Sequence, residues 1–446
     1  MKRRMLGLAI PLALGLAAVA ASAAGEDLME IYREAQQRDP TIAGARANWQ
    51  ATQEKLPQAR SGLLPIVSAT GSANLNKFDT SIYSDPRIDV NRSYQLGAFT
   101  ISASQPLYRY QNVVVLEEAK RQVTQADYIL ATAQQDLIVR VATAYFDVLL
   151  AQFNVELAES QKAAVSEQLA QAKRNFEVGV ATITDTNEAQ AKYDQIVASE
   201  IATRNDLDNK LVALRAIIGR SPRSLKRLGT GFEPEAPDPN LLDPWVDRAL
   251  NENLAVRIAK ANFEIAALEV DRQRAGHYPT LDLVGNVSAQ AASGGTTLGV
   301  GSDLRVAAIG LSFSVPIYQG GFVNSKVSEA TALQESSRQS LEAARRNALF
   351  SAQTGFSGVN SAVASVKAFG QAVASAETAY ESNKLGQEVG VRTNLDVLNT
   401  QQNVFSARRD LASAYFNYLL GVLRLKAAVG TLQEQDLEDL NRRLSG

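Results

Sequence analysis

Two rhythms alternate along the chain. From residue 123 to 158 apolar side chains recur at 123, 126, 130, 133, 137, 141, 144, 148, 151, 155 and 158, reading Val, Ala, Leu, Ala, Leu, Val, Ala, Val, Ala, Val, Ala. This is the three-four spacing of a coiled-coil seam, with one four-four step after 133, a stutter that locally unwinds a supercoil. No proline interrupts Asn112–Glu177. At 1.5 Å per residue that segment predicts one rod of roughly 100 Å. Shorter helices are predicted over Asp27–Ser61 and Thr184–Ile218, each near 35 residues. Laid end to end, the two match the long helix, so a helical layer of constant thickness is expected. The same order returns later, with a long helix at Val323–Glu388 and short ones at Asp243–Ala275 and Leu395–Val429.

The second rhythm has period two. Val67, Ala69, Ala73 and Leu75 alternate with Ser68, Thr70, Ser72 and Asn74; Phe99, Ile101 and Ala103 alternate with Thr100, Ser102 and Ser104. Leu281, Leu283 and Val287 alternate with Asp282, Asn286 and Ser288; Ile309, Leu311, Phe313 and Val315 alternate with Gly310, Ser312 and Ser314. Each segment is long enough for a membrane strand, and one apolar plus one polar face is the pattern of a water-filled barrel in lipid. A soluble sheet with one wet face shows the same alternation. Tyr108, Tyr110, Tyr278, Tyr318 and Phe322 cluster where strands meet helices, as an interfacial girdle would. The polar segments Lys77–Arg92 and Ala292–Asp303 are expected as exposed outer loops, the glycine pair Gly299 and Gly301 included. Four strands cannot close a barrel, and an open edge in lipid leaves backbone groups unsatisfied. Sister chains must complete it: two copies give eight strands, three give 12, and a transporting lumen favours three or more.

The chain is written twice. Ser61-Gly62-Leu63-Leu64-Pro65 is matched by Ala275-Gly276-His277-Tyr278-Pro279, and Gln105-Pro106-Leu107-Tyr108 by Val315-Pro316-Ile317-Tyr318. Thr143-Ala144-Tyr145-Phe146 is matched by Thr354-Gly355-Phe356-Ser357, Val178-Gly179-Val180 by Val389-Gly390-Val391, and Gly219 by Gly430. The offsets are 214, 210, 211, 211 and 211. The expected organisation is a leader over 1–24, repeat one over 25–219 with strands within 65–106, a linker over 220–243, repeat two over 244–430 with strands within 279–316, and a terminal segment over 431–446. The region from Gly219 to Pro244 holds five of the 13 prolines, so it is not helical throughout.

The leader is a secretory signal. Lys2, Arg3 and Arg4 precede an apolar run from Leu6 to Ala20, and Ala21-Ser22-Ala23 is a small-residue cleavage site. Its 15 apolar residues fall short of the ~20 that a spanning helix needs, and no other segment reads as a helical span. With 0 cysteines, disulfides, thiol catalysis, cysteine-held metals and a lipid-carrying cysteine are excluded. The 1 histidine, His277, excludes a two-histidine zinc site and reads as an interfacial residue. Without the three leader cations, 42 basic residues face 47 acidic ones, which argues against nucleic acid as a partner. No nucleophile elbow, phosphate loop or metal spacing is present, so no enzyme and no cofactor are expected. Aromatic content is only 7%, and alanine does much of the apolar work, which suits closely approaching helices.

The order of signal, repeat, two-strand insert and long coiled coil resembles the TolC family of outer-membrane efflux and secretion proteins. The residues that carry the resemblance are Ala59-Arg60-Ser61-Gly62-Leu63-Leu64-Pro65, Ala144-Tyr145-Phe146-Asp147-Val148-Leu149, Gly310-Leu311-Ser312-Phe313-Ser314-Val315-Pro316-Ile317-Tyr318-Gln319-Gly320-Gly321, and Val389-Gly390-Val391-Arg392-Thr393-Asn394-Leu395-Asp396-Val397-Leu398. The match spans essentially the whole mature chain. It implies a homotrimer in the outer membrane of a Gram-negative bacterium, with a 12-strand β-barrel continuing into a long coiled-coil helical tunnel across the periplasm. It further implies an adaptor protein at the periplasmic tips, an inner-membrane transporter of the RND or ABC type, and export of drugs or of type I secretion cargo. A periplasmic coiled-coil adaptor and a passive porin are the other readings.

The resemblance also implies a gate. The tip turns hold Gly179, Val180, Gly390 and Val391, where an adaptor would dock. Asp185 and Asp396 are repeat mates just inside the second helix of each tip. By resemblance Asp396 lines the narrowest constriction, so a trimer gathers three carboxylates able to hold a blocking cation. A second aspartate common one turn on in the family is Asn399 here, which leaves a single ring. A closed-state latch between neighbouring coiled coils is implied at Thr184, Asp185, Gln387 and Arg392, with Gln387 in place of a tyrosine and Arg174 in place of a glutamine. Arg392 toward Thr184 and Asp185 is its expected main link. For Asp185 a plain helix-capping role is an equal expectation.

Overall fold

The computed structural model describes residues 25–83, 85–227, 233–294 and 300–444, so the secretory leader and Gly299 lie outside the described residues. Two very long helices dominate, α4 (Tyr110–Glu177) and α8 (Phe322–Glu388). Each turns sharply into a shorter partner, α5 (Ile183–Ile218) and α9 (Asn394–Val429). Above the partners lie α1 (Leu28–Arg38), α2 (Pro40–Gln53) and α3 (Lys55–Ser61) in the first half, and α6 (Leu242–Glu252) and α7 (Leu254–Arg274) in the second. A terminal helix, α10 (Glu434–Leu444), lies beside α1.

The upper short helices are broken where sequence periodicity predicts unbroken ones. Asp39 closes α1 and opens α2: its Oδ1 accepts the amides of Thr41 (2.6 Å) and Ile42 (3.2 Å), and Pro40 takes the first helical position, where no amide is needed. The other carboxylate oxygen accepts Arg140 Nη1 of α4 at 2.8 Å. Asn253 makes the equivalent break between α6 and α7. Its Oδ1 accepts the Val256 amide (3.1 Å), and its Nδ2 donates to the Ala428 carbonyl (2.7 Å). Both breaks tie an upper helix to its neighbour, which periodicity along one strand of chain does not reveal.

Four antiparallel strands, β1 (Ile66–Ile82), β2 (Ile88–Tyr108), β3 (Thr280–Ala292) and β4 (Ser302–Ser314), form one sheet in the order β1-β2-β3-β4. The helices below repeat that order. α2, α3 and α5 lie on one side of α4, α7 and α9 on the other, and α8 beyond them. One wall therefore runs from sheet to tips with two unfinished lateral edges, β1 with α5 and β4 with α8. Exposed apolar side chains mark both: Ile201 and Val212 on α5, Leu333 and Phe350 on α8. At the strand–helix boundary the Tyr110 and Tyr278 rings meet tilted, their centroids 5.4 Å apart, with Tyr108, Tyr318 and Phe322 exposed around them. His277 meets Asn324 there, Nε2 to Oδ1 at 3.1 Å.

Two expectations are corrected. Lys77–Arg92 is mostly strand, not loop: β1 and β2 stay paired out to Ile82 and Ile88, leaving a short turn. Where both faces of a ribbon meet water the alternation fades while pairing continues, and Phe78, Ile82, Ile88 and Val90 keep its β character. Second, α4 does contain a window apolar enough to pass as a membrane span, with a mean hydropathy of 1.3, and 44% of that window is buried. Around the middle of α4, Leu137, Ile138, Val141, Ala142, Tyr145, Phe146, Val148 and Leu149 are buried on one half of the helix, and the residues between them, Arg140 and Asp147 included, are half-buried. Residues of α1, α2, α5, α7 and α9 join the core there, and the Tyr145 hydroxyl donates to the Lys226 carbonyl at 2.9 Å, holding the linker against it. A broad apolar face is what a helix packed against several neighbours requires.

Candidate periplasmic gate

The two tip turns are built alike. In the first, Gly179 is left-handed (φ 81°); its amide donates to the Phe176 carbonyl at 3.0 Å, and the next amide, of Val180, to Asn175 at 2.9 Å. In the second, Gly390 (φ 77°) donates to Gln387 at 3.0 Å and Val391 to Gly386 at 2.9 Å. This paired pattern is the Schellman motif, and its left-handed residue is why glycine stands at both places. The motif turns the next residues outward. Val178, Val180, Val389 and Val391 are all highly exposed, Val391 at 75%. Four bare valines at the end of the rod form an apolar cap.

Each following helix starts with a capping box. Asp185 Oδ2 accepts the amide (2.9 Å) and hydroxyl (2.8 Å) of Thr182, whose hydroxyl oxygen accepts the Asp185 amide at 3.3 Å. Asp396 repeats this with Thr393, at 3.0, 2.8 and 3.2 Å. The backbone and side-chain hydrogen bonds from Thr393, helped by the Arg392 charge, hold the Asp396 carboxyl below its usual range against a smaller opposing desolvation. The structure thus assigns a cap to Asp185 and adds one to Asp396, which the ring expectation omits. The signal was legible, since Thr182 and Thr393 each stand three residues before an acid.

The other implied latch residues are local. Gln387 Nε2 donates to Asn394 Oδ1 at 3.2 Å, crossing its own turn. Arg392 is exposed and lies over Gly386, where a Cβ would stand 2.7 Å from its Cγ, so glycine there makes room for the arginine. Among the described residues no ion pair includes Arg392 or Arg174, and within one chain Arg392 is not joined to Thr184 or Asp185. Thr184, Arg174 and Asn399 are exposed, Asn399 one turn above Asp396.

What binds the two hairpins of a chain near the tips is a small apolar cluster. Leu398 of α9, 1% exposed, packs with Val165, Leu169 and Ala172 of α4 and Ala189 and Ile196 of α5. Beside it the seam carries polar atoms without partners: Gln168 Oε1, Thr186 Oγ1, Asn394 Nδ2 and Gln401 Oε1. Farther up, buried Glu200 takes Lys162 and Arg204 at 2.7 Å each, joining α4 to α5. Its repeat mate, Leu411, has no charge to offer α8. Sequence reasoning missed both features, because a polar residue on a seam looks like a solvated one until its neighbours are known.

The model of the family "Outer membrane efflux protein" matches the chain over residues 31–220 and 245–431. The chain belongs to the outer membrane efflux protein family. Among its relatives, the outer membrane protein TolC of Vibrio cholerae is 34% identical over 440 residues, covering 98% of each chain. The alkaline protease secretion protein AprF of Pseudomonas aeruginosa is 30% identical over 416 residues, 92% of this chain and 86% of that one. Among solved structures the Campylobacter jejuni CmeC outer membrane channel superposes with a TM-score of 0.78 at 16% identity, covering 98% of both chains. This efflux protein therefore lies in the outer membrane and extends into the periplasm, and its open-edged wall is one subunit of a homotrimer. Three sheets of four strands close a barrel of 12, and the walls below close a tunnel.

Proposed function

We propose that the trimer is the exit duct for molecules driven out of the cell by an inner-membrane transporter of the RND or ABC type, joined to it by a periplasmic adaptor. Drugs and type I secretion proteins are the cargo classes. The observation that carries this reading is a lipid-spanning sheet continuing into a wall long enough to reach across the periplasm, ending in turns capped by bare valines. An adaptor grips Gly179, Val180, Gly390 and Val391. The chain performs no chemistry of its own; its work is passage and gating.

The gate is the ring of three Asp396 carboxylates, backed by Asn399 one turn inward. Asp396 spends one oxygen on its cap, so Oδ1 remains for a cation drawn by three like charges in a confined space. The closed state is held between neighbouring coiled coils, by Gln387 and above all Arg392 of the α8–α9 hairpin against Thr184 and Asp185, with Arg174, of the α4–α5 hairpin beside it. Among the described residues Arg392 joins no ion pair, so its guanidinium, whose charge also acts on Asp396, is open to a neighbour. An exposed pair of this kind is worth ~0.2–1 kcal/mol, repeated three times, which an adaptor can overcome.

The deciding experiment combines the mass of the detergent-solubilised complex with single-channel conductance in planar bilayers. A trimer with low resting conductance is expected. High conductance from the protein alone would indicate a passive porin, and a monomer stable in buffer without detergent would indicate a soluble adaptor.

A further inference from the structure

Repeat one shows how a long helix receives a neighbouring hairpin, and repeat two presents the matching surface bare. On α4, Gln135 is half-buried against the end of α9: its Nε2 donates to the carbonyls of Gly430 (3.1 Å) and Leu432 (3.0 Å). Carbonyls at and just past a helix end have no helical amide to accept, so they take a donor from outside. The repeat offset of 211 carries Gln135 onto Arg346 of α8, and Gly430 and Leu432 onto Gly219 and Ser221 after α5. The two helix ends are built alike. Gly219 and Gly430 are both left-handed, at φ 76° and 81°, and each bonds its amide back to the last turn. Each is backed by an upper short helix, Gly219 by Arg38 of α1 and Gly430 by Glu252 of α6. Their surroundings differ: Gly219, Ser221 and Arg346 are exposed, Arg346 over 78% of its side chain.

The difference follows from where the wall stops. α4 meets α9 inside the chain, whereas α8 forms one lateral edge and α5 the other. When three chains close the tunnel, α5 of the next subunit stands beside α8 as α9 stands beside α4. Other contacts carried over by the repeat offsets remain chemically compatible. Phe146 and Phe416, with ring centroids 5.6 Å apart, become Ser357 and Asn205 of the next subunit. Gln125, whose Nε2 donates to Asn262 Oδ1 at 2.6 Å, becomes Ser336, facing Asn48 of the next subunit in place of Asn262. All four of these replacement residues are exposed in the single chain, and each pair can hydrogen-bond.

We propose that Arg346 of one subunit caps α5 of the next, its guanidinium donating to the Gly219 and Ser221 carbonyls. The Ser221 carbonyl already accepts Arg220 Nη1 of its own chain at 3.0 Å and keeps a second lone pair for Arg346. Arg220 is itself held by Glu26 and Glu34, at 2.7 and 2.5 Å, so its charge is countered at the place where a second cation arrives. The C-terminal end of a helix carries partial negative charge, which favours a guanidinium there. Arginine suits a contact made between chains, because its forked side chain serves two acceptors at once and brings a charge that glutamine lacks. In the single chain Arg346 rests on Glu342, one turn back on α8, Nε to Oε1 at 3.0 Å. Three such caps ring the tunnel at the level where α5 ends against α1. The contact rests on the homotrimer and adds the residues that lock its subunits in register.

The wild-type chain has 0 cysteines, so introduced pairs report cleanly. Full-length protein carrying Arg346→Cys and Ser221→Cys, treated in detergent with a short bismaleimide, is expected to give covalent trimers on a denaturing gel, and either single variant none. Gln135→Cys with Leu432→Cys is the reference: the same linker must bridge it within one chain, seen as a cross-linked peptide by mass spectrometry. A reference link without any link between chains at 346 and 221 would overturn the proposal. Arg346→Ala should speed trimer dissociation in detergent roughly tenfold, as loss of a charge-assisted contact implies. Arg346→Gln, which keeps a donor, should do so less, and Glu342→Gln not at all. Wild-type dissociation in Arg346→Ala would equally sink it. The mass of the unlinked wild-type complex is read first; a complex that is not a trimer would remove the assembly itself, a result distinct from loss of this contact.

Discussion

Asp396 and Thr393 hold each other across the first turn of α9: one carboxylate oxygen takes both the amide and the hydroxyl of Thr393, at 3.0 and 2.8 Å. The residue proposed as the gate charge is therefore also the residue that starts its helix, and the two roles can be separated. Thr393→Ala removes the cap and leaves the charge; loss of such a cap weakens a helix start by about 0.5–2 kcal/mol. Asp396→Asn removes the charge and keeps a side chain able to cap. In planar bilayers Asp396→Asn should lose sensitivity to multivalent cations, while Thr393→Ala keeps it. Equal block of wild type and Asp396→Asn would remove the ring.

Among the described residues Arg392 joins no ion pair, and it lies exposed over Gly386. If it latches the neighbouring hairpin, Arg392→Ser should raise resting conductance severalfold, since three links of ~0.2–1 kcal/mol are lost together. Salt should do the same to wild type and little to the variant. Unchanged conductance in the variant would count against the latch.

Tyr145 is fully buried, and its hydroxyl donates to the Lys226 carbonyl at 2.9 Å. Tyr145→Phe strips the linker of that anchor at about 0.5–1.5 kcal/mol. Faster tryptic cleavage after Lys226 and Arg227, with the trimer intact, is the expected result. Cleavage at the wild-type rate would show that packing alone holds the linker.

Acid should loosen the middle of the wall. Burial raises the Asp39 carboxyl, but hydrogen bonds from Arg140 and from the Ile42 and Thr41 amides outweigh it and leave it lowered. Glu26 is likewise raised by burial and then lowered further by Arg220 and the Arg223 amide. Native values below the unfolded ~4 mean that the stabilisation is complete above about pH 4 to 5 and disappears as pH falls through the lowered values. Thermal midpoints should fall steeply below pH 4. Asp39→Asn should be less stable than wild type at neutral pH and show a shallower fall in acid. Parallel pH curves would refute this account.

Much of the architecture was legible in the chain alone. The three-four spacing from 123 to 158 and the alternation at 309–315 are consequences of which side of an element is dry, and that is written locally. Glycine at 179 and 390 marked both turns, because few other residues tolerate the left-handed backbone there. The open-edged sheet followed from counting strands.

What the tertiary structure decided is what each dry side faces. The break at Asp39 depends on Arg140, about a hundred residues away, and the one at Asn253 on the Ala428 carbonyl. One face of the apolar window of α4 is core because other helices pack against it; composition cannot tell such neighbours from lipid. Gln401 and Glu200 look like surface residues in the sequence and are buried in the wall. Periodicity is set by a residue's own helix or strand, whereas pairing of charges and orphaned polar atoms is set by whichever distant segment the fold brings alongside.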